Sequence, residues 1–234
     1  KFIKKKMIDR KKHRFILVNI LKEIYADPLL GSSLGFKGGT AAFLFYDLPR
    51  LSVDLDFDLL DLQKEEAVFQ KLKEVLKNFG QLREARKKRY TLFFLLNYQK
   101  GERNIKVEVS KRKTSAGYQV RQYLGIPVLV MDKSDMAASK LAAFLTRKKF
   151  AARDLFDLWF FLKNDWAINE KLLQEKTGLN LREALEKAKE RVEKTPQTKL
   201  LQGLGELLDD KQKIAVKDKL KEDLLLQINL LLIE

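Results

Sequence analysis

The chain has 234 residues, 45% of them hydrophobic, which is enough for one large domain or two modest ones with a true core. It has no cysteine and one histidine, which excludes a disulfide framework, a thiolate zinc site, a cysteine nucleophile and a multi-histidine metal centre. With 47 Lys and Arg against 32 Asp and Glu the formal net charge is +15, so a polyanion such as nucleic acid is the expected partner.

The positive surplus is clustered. Residues 1–14 hold Lys1, Lys4, Lys5, Lys6, Arg10, Lys11, Lys12 and Arg14 against a single acid, Asp9, and further clusters lie at 83–89, 111–113 and 147–149. Each can neutralise phosphates or serve as an ordinary solvated face. His13, inside the first cluster, reads as a surface residue of a basic helix. No run approaches the ~18 apolar residues of a membrane span, so no membrane partner is expected. The basic N-terminus lacks a long apolar segment ahead of a small-residue cleavage site, which makes the cytoplasm the expected location.

In chain order, residues 14–25 form a helix with an apolar face that ends near Asp27-Pro28. Residues 31–35 read as a Gly/Ser loop entering the Gly38-Gly39 turn, and a short helix over 40–46 stops at Leu48-Pro49. Residues 52–58 alternate as a strand, with Val53, Leu55 and Phe57 on one face and Ser52, Asp54, Asp56 and Asp58 on the other. An amphipathic helix over 65–79 is stopped by Gly80, and two strands follow at 90–98 and 104–110. After Pro127 the pattern becomes helical, over 132–150, 153–164, 169–175, 180–194 and 213–233. The expected division is therefore an α/β part over 1–126 and a helical part over 127–234, packed closely because no flexible linker separates them. The apolar run 224–233 reads as a core helix, with burial in an oligomer as the alternative.

Two local features carry chemistry. Lys37-Gly38-Gly39-Thr40 is a glycine turn opening a helix, whose backbone N–H groups can hold phosphate. Fourteen residues after Thr40, Asp54 and Asp56 share one face of a strand, where like charges repel unless a hard cation sits among them. In the strand 104–110, Lys106, Glu108 and Ser110 face away from the core, so Glu108 becomes a third carboxylate if the two strands are neighbours.

These residues resemble the AbiEii (MenT-type) family of nucleotidyltransferase toxins, in the DNA polymerase β-like superfamily. That family shows a KGGT turn followed by R-x-[ST]-x-D-[IL]-D-F, matched here by Arg50 to Phe57. Lys106-Val107-Glu108 is similar to its K-x-[DE] strand, Lys140 to Ala143 to its K-x-x-A helix, and Arg153 to Asp157 to its R-D-x-x-D motif, with Arg147 ahead of it. Departures are a third carboxylate that is Glu rather than the commoner Asp, and Ser134 to Ser139 where relatives often carry glutamates.

The resemblance implies an α+β fold: a nucleotidyltransferase domain with a mixed β-sheet flanked by helices, then a mainly helical domain that completes the active site. It implies metal ligation, Mg²⁺ or Mn²⁺, by Asp54, Asp56 and Glu108. It also implies NTP contacts from Lys37, Gly38, Gly39, Thr40, Ser52 and Lys140, and a catalytic contribution from Asp154 or Asp157. The implied reaction moves a nucleoside monophosphate from an NTP to an RNA, the 3′ end of tRNA above all, and releases pyrophosphate. The implied partners are that RNA and a cognate antitoxin, often a winged-helix regulator encoded nearby. A protein or small-molecule hydroxyl as acceptor, and a non-catalytic RNA-binding relative, stand as alternatives.

Overall fold

The computed structural model describes residues 9–233; Lys1, Lys4, Lys5 and Lys6 of the basic N-terminal cluster lie outside the described residues. The chain divides into two compact units. One takes the chain up to Asp47 together with Leu51–Lys113 and Tyr118–Met131; the other takes Leu48–Arg50, Thr114–Gly117 and the chain from Asp132 onward.

The first unit is built on a seven-stranded mixed sheet, β1 (Leu34–Lys37), β2 (Leu55–Leu59), β3 (Gln81–Lys87), β4 (Thr91–Asn97), β5 (Ile105–Ser110), β6 (Tyr118–Tyr123) and β7 (Ile126–Met131), in the order β3-β4-β5-β2-β1-β7-β6. β2 runs parallel to β5, and β1 parallel to β7; the other neighbours are antiparallel. Alternation decides the faces. Leu55, Phe57, Leu92, Phe94, Leu96, Ile105, Val107 and Val109 are fully buried on one side. That side is covered by α4 (Glu65–Lys77), whose Phe69 ring lies 5.2 Å from Phe94.

The first helix, α1 (Arg10–Ala26), begins where the Asp9 carboxylate accepts the Lys12 backbone N–H, 3.0 Å away. Its buried stripe is His13, Leu17, Ile20, Leu21 and Ile24. His13 is thus a core residue rather than the surface residue expected, because it continues the i, i+4, i+7, i+11 face that packs inward. The stretch 31–35 is likewise not a loop. It closes α2 (Pro28–Ser33) and opens β1, a strand between β2 and β7 whose ladder bonds override the turn preference of Gly and Ser.

The second unit is helical: α5 (Lys133–Thr146), α6 (Ala152–Lys163), α7 (Glu170–Thr177), α8 (Leu181–Glu193), α9 (Asp210–Asp218) and α10 (Leu220–Ile233). Its core gathers Leu141, Leu155, Leu158, Phe161, Leu172, Leu185, Leu224 and Ile228, all at most 1% exposed. The Arg191 guanidinium caps α5 by donating to the carbonyls of Leu145 and Arg147, 2.9 Å each. The single helix expected over 213–233 is two. Lys219 leaves helical geometry between them, and α9 starts earlier, at a capping box of Asp209 and Gln212. α10 buries Leu224 and Ile228 but exposes Leu226 (56%), Leu230 (48%) and Ile233 (83%), so its run is only half a core helix.

Candidate active site

In the sheet unit, α3 (Gly38–Phe45) follows β1 without a connecting loop. Lys37, at its N-cap, makes no side-chain capping bond, and a helix N-terminus of this kind can receive an anion. Gly38 has φ +76°, and a Cβ built on it would stand 3.0 Å from Asp56 Oδ2. Glycine therefore lets the phosphate-type turn and the carboxylate strand press together. Gly39 is the second residue of the same helix.

Thr40 and Ser52 are buried and tie the turn to the strand: the Thr40 hydroxyl lies 2.8 Å from Ser52 Oγ and also bonds the Asp54 carbonyl. Both thus serve as internal pins. The Lys37 ammonium lies 2.5 Å from Asp58 Oδ1, and the Tyr118 hydroxyl donates to Asp58 Oδ2 at 2.5 Å. Asp58, 3% exposed, is thereby separated from the other acids of its strand as a neutralised structural group.

Asp54, Asp56 and Glu108 remain half-buried. The parallel register sets Asp56 opposite Glu108, on strands about 4.8 Å apart, so the expected neighbourhood of the two carboxylates is present. Burial, and then the charges of Glu108 and Asp54, push the Asp56 carboxyl up to about 6, against weaker opposition from Lys106 and Lys37. Lys106 lies 3.5 Å from Asp54 Oδ2 and 3.5 Å from Glu108 Oε2, and its backbone N–H donates to Asp54 Oδ1 at 3.3 Å. An ammonium thus stands between two of the three acids. The donor chemistry, oxygen-only and mutually repelling, fits a hard divalent cation. Even so, among the described residues no group of three or more His, Asp or Glu side chains is drawn into ready metal-binding geometry.

His13 holds the segment that leads into β2. Its Nε2 donates to the Val53 carbonyl at 3.0 Å, which leaves Nδ1 to accept from the Tyr98 hydroxyl, also at 3.0 Å. Burial lowers its pKa and keeps the ring neutral. The signal was available in the sequence: His13 stands at helical spacing from Leu17, Ile20 and Ile24.

Lys140, Asp154 and Asp157 meet in the helical unit. Lys140 Nζ lies 3.0 Å from Asp154 Oδ1 and 2.9 Å from Asp157 Oδ2. Arg50, four residues before Asp54 in the chain, grips Asp157 with Nε at 2.5 Å and a terminal nitrogen at 2.7 Å, and Arg147 meets Asp154 Oδ2 at 2.7 Å. Burial alone would raise Asp157, but the Arg50 guanidinium and the Lys140 ammonium hold it below the ordinary carboxylate range. Burial likewise opposes the Lys140 charge, and Asp157 and Asp154 overcome it and raise its pKa. Three cations on two carboxylates leave one positive charge in surplus. The role of Arg50 was not legible from its motif position, because its partner lies 107 residues away.

Known proteins bear on this arrangement. The family described as nucleotidyl transferase AbiEii toxin, of type IV toxin–antitoxin systems, matches residues 19–226. The fold is similar to that of JHP933 from Helicobacter pylori, with a TM-score of 0.60 and 21% identity over 95% of this chain and 91% of that one. It is equally similar to a candidate nucleotidyltransferase from H. pylori, with a TM-score of 0.60 and 23% identity over 95% of this chain and 94% of that one. No curated protein matches the chain. Among the described residues no helix is long and apolar enough to cross a membrane. With nearly its whole length matched, the chain belongs to the AbiEii family of nucleotidyltransferase toxins and is a nucleotidyltransferase.

Proposed function

We propose that this nucleotidyltransferase transfers a nucleoside monophosphate from an NTP to the 3′ hydroxyl of an RNA, with tRNA as the preferred acceptor. The observation that carries the reading is the turn of Gly38 set against Asp56, which in turn faces Glu108 across the β2–β5 ladder. The N-terminus of α3 would receive the triphosphate beside the carboxylates. The acceptor oxygen bonds to the α-phosphorus, the bond from that phosphorus to the β-bridging oxygen breaks, pyrophosphate leaves, and the hydroxyl proton passes to a carboxylate of the trio. Asp54, Asp56 and Glu108 would hold Mg²⁺ or Mn²⁺, which supplies charge neutralisation for this kind of transfer.

Lys140 is assigned to the NTP phosphates, a point charge held ready by Asp154 and Asp157 as positioning residues. We further assign a winged-helix regulator as the cognate antitoxin, and the cytoplasm as the place of action. The net charge of +15 favours an RNA over a small neutral acceptor.

The test incubates the protein with each labelled NTP, a divalent cation and total tRNA, beside an Asp56→Ala control. Label on tRNA with the wild type alone supports the reading. Label on protein moves the acceptor to a protein hydroxyl, and no transfer of any nucleotide by folded protein defeats the assignment of this reaction.

A further inference from the structure

The face of the sheet that carries Asp56 continues sideways, beyond the carboxylates, to the β3 edge. Register places Asp56 beside Glu108, Glu108 beside Phe93, and Phe93 beside Arg86, a single row across β2, β5, β4 and β3. On strand spacing this row spans about 14 Å. Its outer half differs in chemistry from its inner half. Phe93 is half-buried while its strand neighbours Leu92 and Phe94 are fully buried on the other face. The Lys88 ammonium stands 3.7 Å from the Phe93 ring centroid. Arg86 is 71% exposed and pairs with Glu84 at 3.0 Å, an exposed pair that a stronger anion can displace at little cost.

In the turn from β3 to β4, Tyr90 is 44% exposed, with the guanidinium groups of Arg89 and Arg112 at 4.9 and 4.8 Å from its ring. The Lys111 backbone N–H donates to the Tyr90 carbonyl at 2.9 Å, which fixes the 111–113 cluster beside the 86–89 cluster. Two basic runs far apart in sequence thus meet at the strand ends, where the Lys111 ammonium turns to Glu65 of α4 at 3.0 Å and the Arg89 and Arg112 guanidinium groups lie over the Tyr90 ring, beyond the row in which Lys88 lies over Phe93. A patch that only kept the protein soluble would have no need of rings beneath its cations. Alternating rings and cations match a single strand of nucleic acid, whose bases stack on π-faces while its phosphates meet Lys and Arg. A duplex offers no unstacked bases to such rings.

We propose that this strip, Arg86, Lys88, Phe93, Tyr90 and Arg112, docks the single-stranded 3′ segment of the acceptor RNA and leads its terminal hydroxyl along the row to Glu108 and Asp56. The inference rests on the RNA-directed reaction proposed above and adds where that RNA lies. A base displaces Lys88 from the Phe93 ring and stacks there, and phosphates bind Arg86, Lys88 and Arg112.

The experiment measures binding of a short fluorescein-labelled single-stranded RNA with a free 3′ hydroxyl by fluorescence anisotropy, across a salt series, together with the KM for tRNA in nucleotidyl transfer. The double variant Arg86→Glu/Lys88→Glu should weaken RNA binding about tenfold or more and flatten the salt dependence by about two phosphate contacts. Phe93→Leu, which keeps an apolar side chain, should weaken it about fivefold or more without altering the salt slope. Lys187→Glu, on the exposed side of α8, carries the same kind of charge change elsewhere and should stay within about twofold. Thermal unfolding verifies that each variant is folded. Wild-type transfer to tRNA with RNA affinity and KM unchanged in the double variant would overturn the dock alone. A wild type that neither binds nor labels RNA would overturn the dock and the reaction together.

Discussion

The two units handle buried charge in opposite ways. In the helical unit, Asp157 is fully buried yet held below the ordinary carboxylate range, because Arg50 and Lys140 close on both of its oxygens. In the sheet unit, Asp56 is raised to about 6, with two acids as its strongest charged neighbours. The first arrangement pairs both of its carboxylates and holds a lysine with them. The second is left short of positive charge, and a site short of charge is one that recruits it from a ligand. Each half of the contrast can be broken separately.

The largest effect is expected where compensation is complete. Asp157→Ala strips the partner from two buried cations and should destabilise the helical unit by about 3–5 kcal/mol, read as a lower unfolding midpoint in denaturant. A change under about 1 kcal/mol would mean that water already screens the network. Acid should reach the same pair without mutation. A lowered carboxylate stabilises the fold fully above its unfolded pKa and loses that contribution as pH falls through the folded value. The helical unit should therefore weaken below about pH 4, while Asp157→Asn shows a flatter profile over the same range.

In the sheet unit the sign reverses. Asp56 binds its proton more tightly folded than unfolded, so its charge costs stability as pH rises from the ordinary carboxylate value to about 6. Asp56→Asn should raise the neutral-pH stability by about 1–2 kcal/mol while abolishing nucleotidyl transfer, a trade of fold against function. Calorimetry at pH 7 and the labelled-NTP assay read the two halves. A stability loss would show that Asp56 is as well compensated as Asp157, and the contrast between the units would disappear.

How much of this was readable in advance follows from range. Strand alternation put Asp54 with Asp56 on one side of their strand and Glu108 on the side of its own that faces away from the core, because a two-residue period is a local property, and the β2–β5 pairing then brought them together. The glycine turn was legible for the same reason. Illegible features depended on distant partners. β1 looked like a loop because its Gly and Ser residues favour turns, and only β2 and β7 on either side of it made a strand. Asp58 shared the pattern of Asp54 and Asp56, and nothing local said that Lys37 and Tyr118 would neutralise it. His13 was misplaced by its basic neighbours, although helical periodicity put it on the buried stripe.

Lys106 offers the finest test of the comparison, since it is the cation nearest to completing the sheet unit's charge. It touches Asp54 and Glu108 only at 3.5 Å and keeps 34% of its side chain exposed, so it compensates weakly where Arg50 compensates fully. Replacing it by methionine keeps the stem and removes the ammonium. Asp56 should then titrate above its already raised value, by carboxyl NMR, and stability at neutral pH should fall by less than about 1 kcal/mol. A divalent cation would no longer have an ammonium to displace, so a titration of Mg²⁺ should raise the unfolding temperature of Lys106→Met more than that of the wild type. Equal responses of the two proteins would mean that the ammonium is no competitor at the carboxylates. The half-filled charge of the sheet unit would then be a matter of packing rather than of readiness for a ligand.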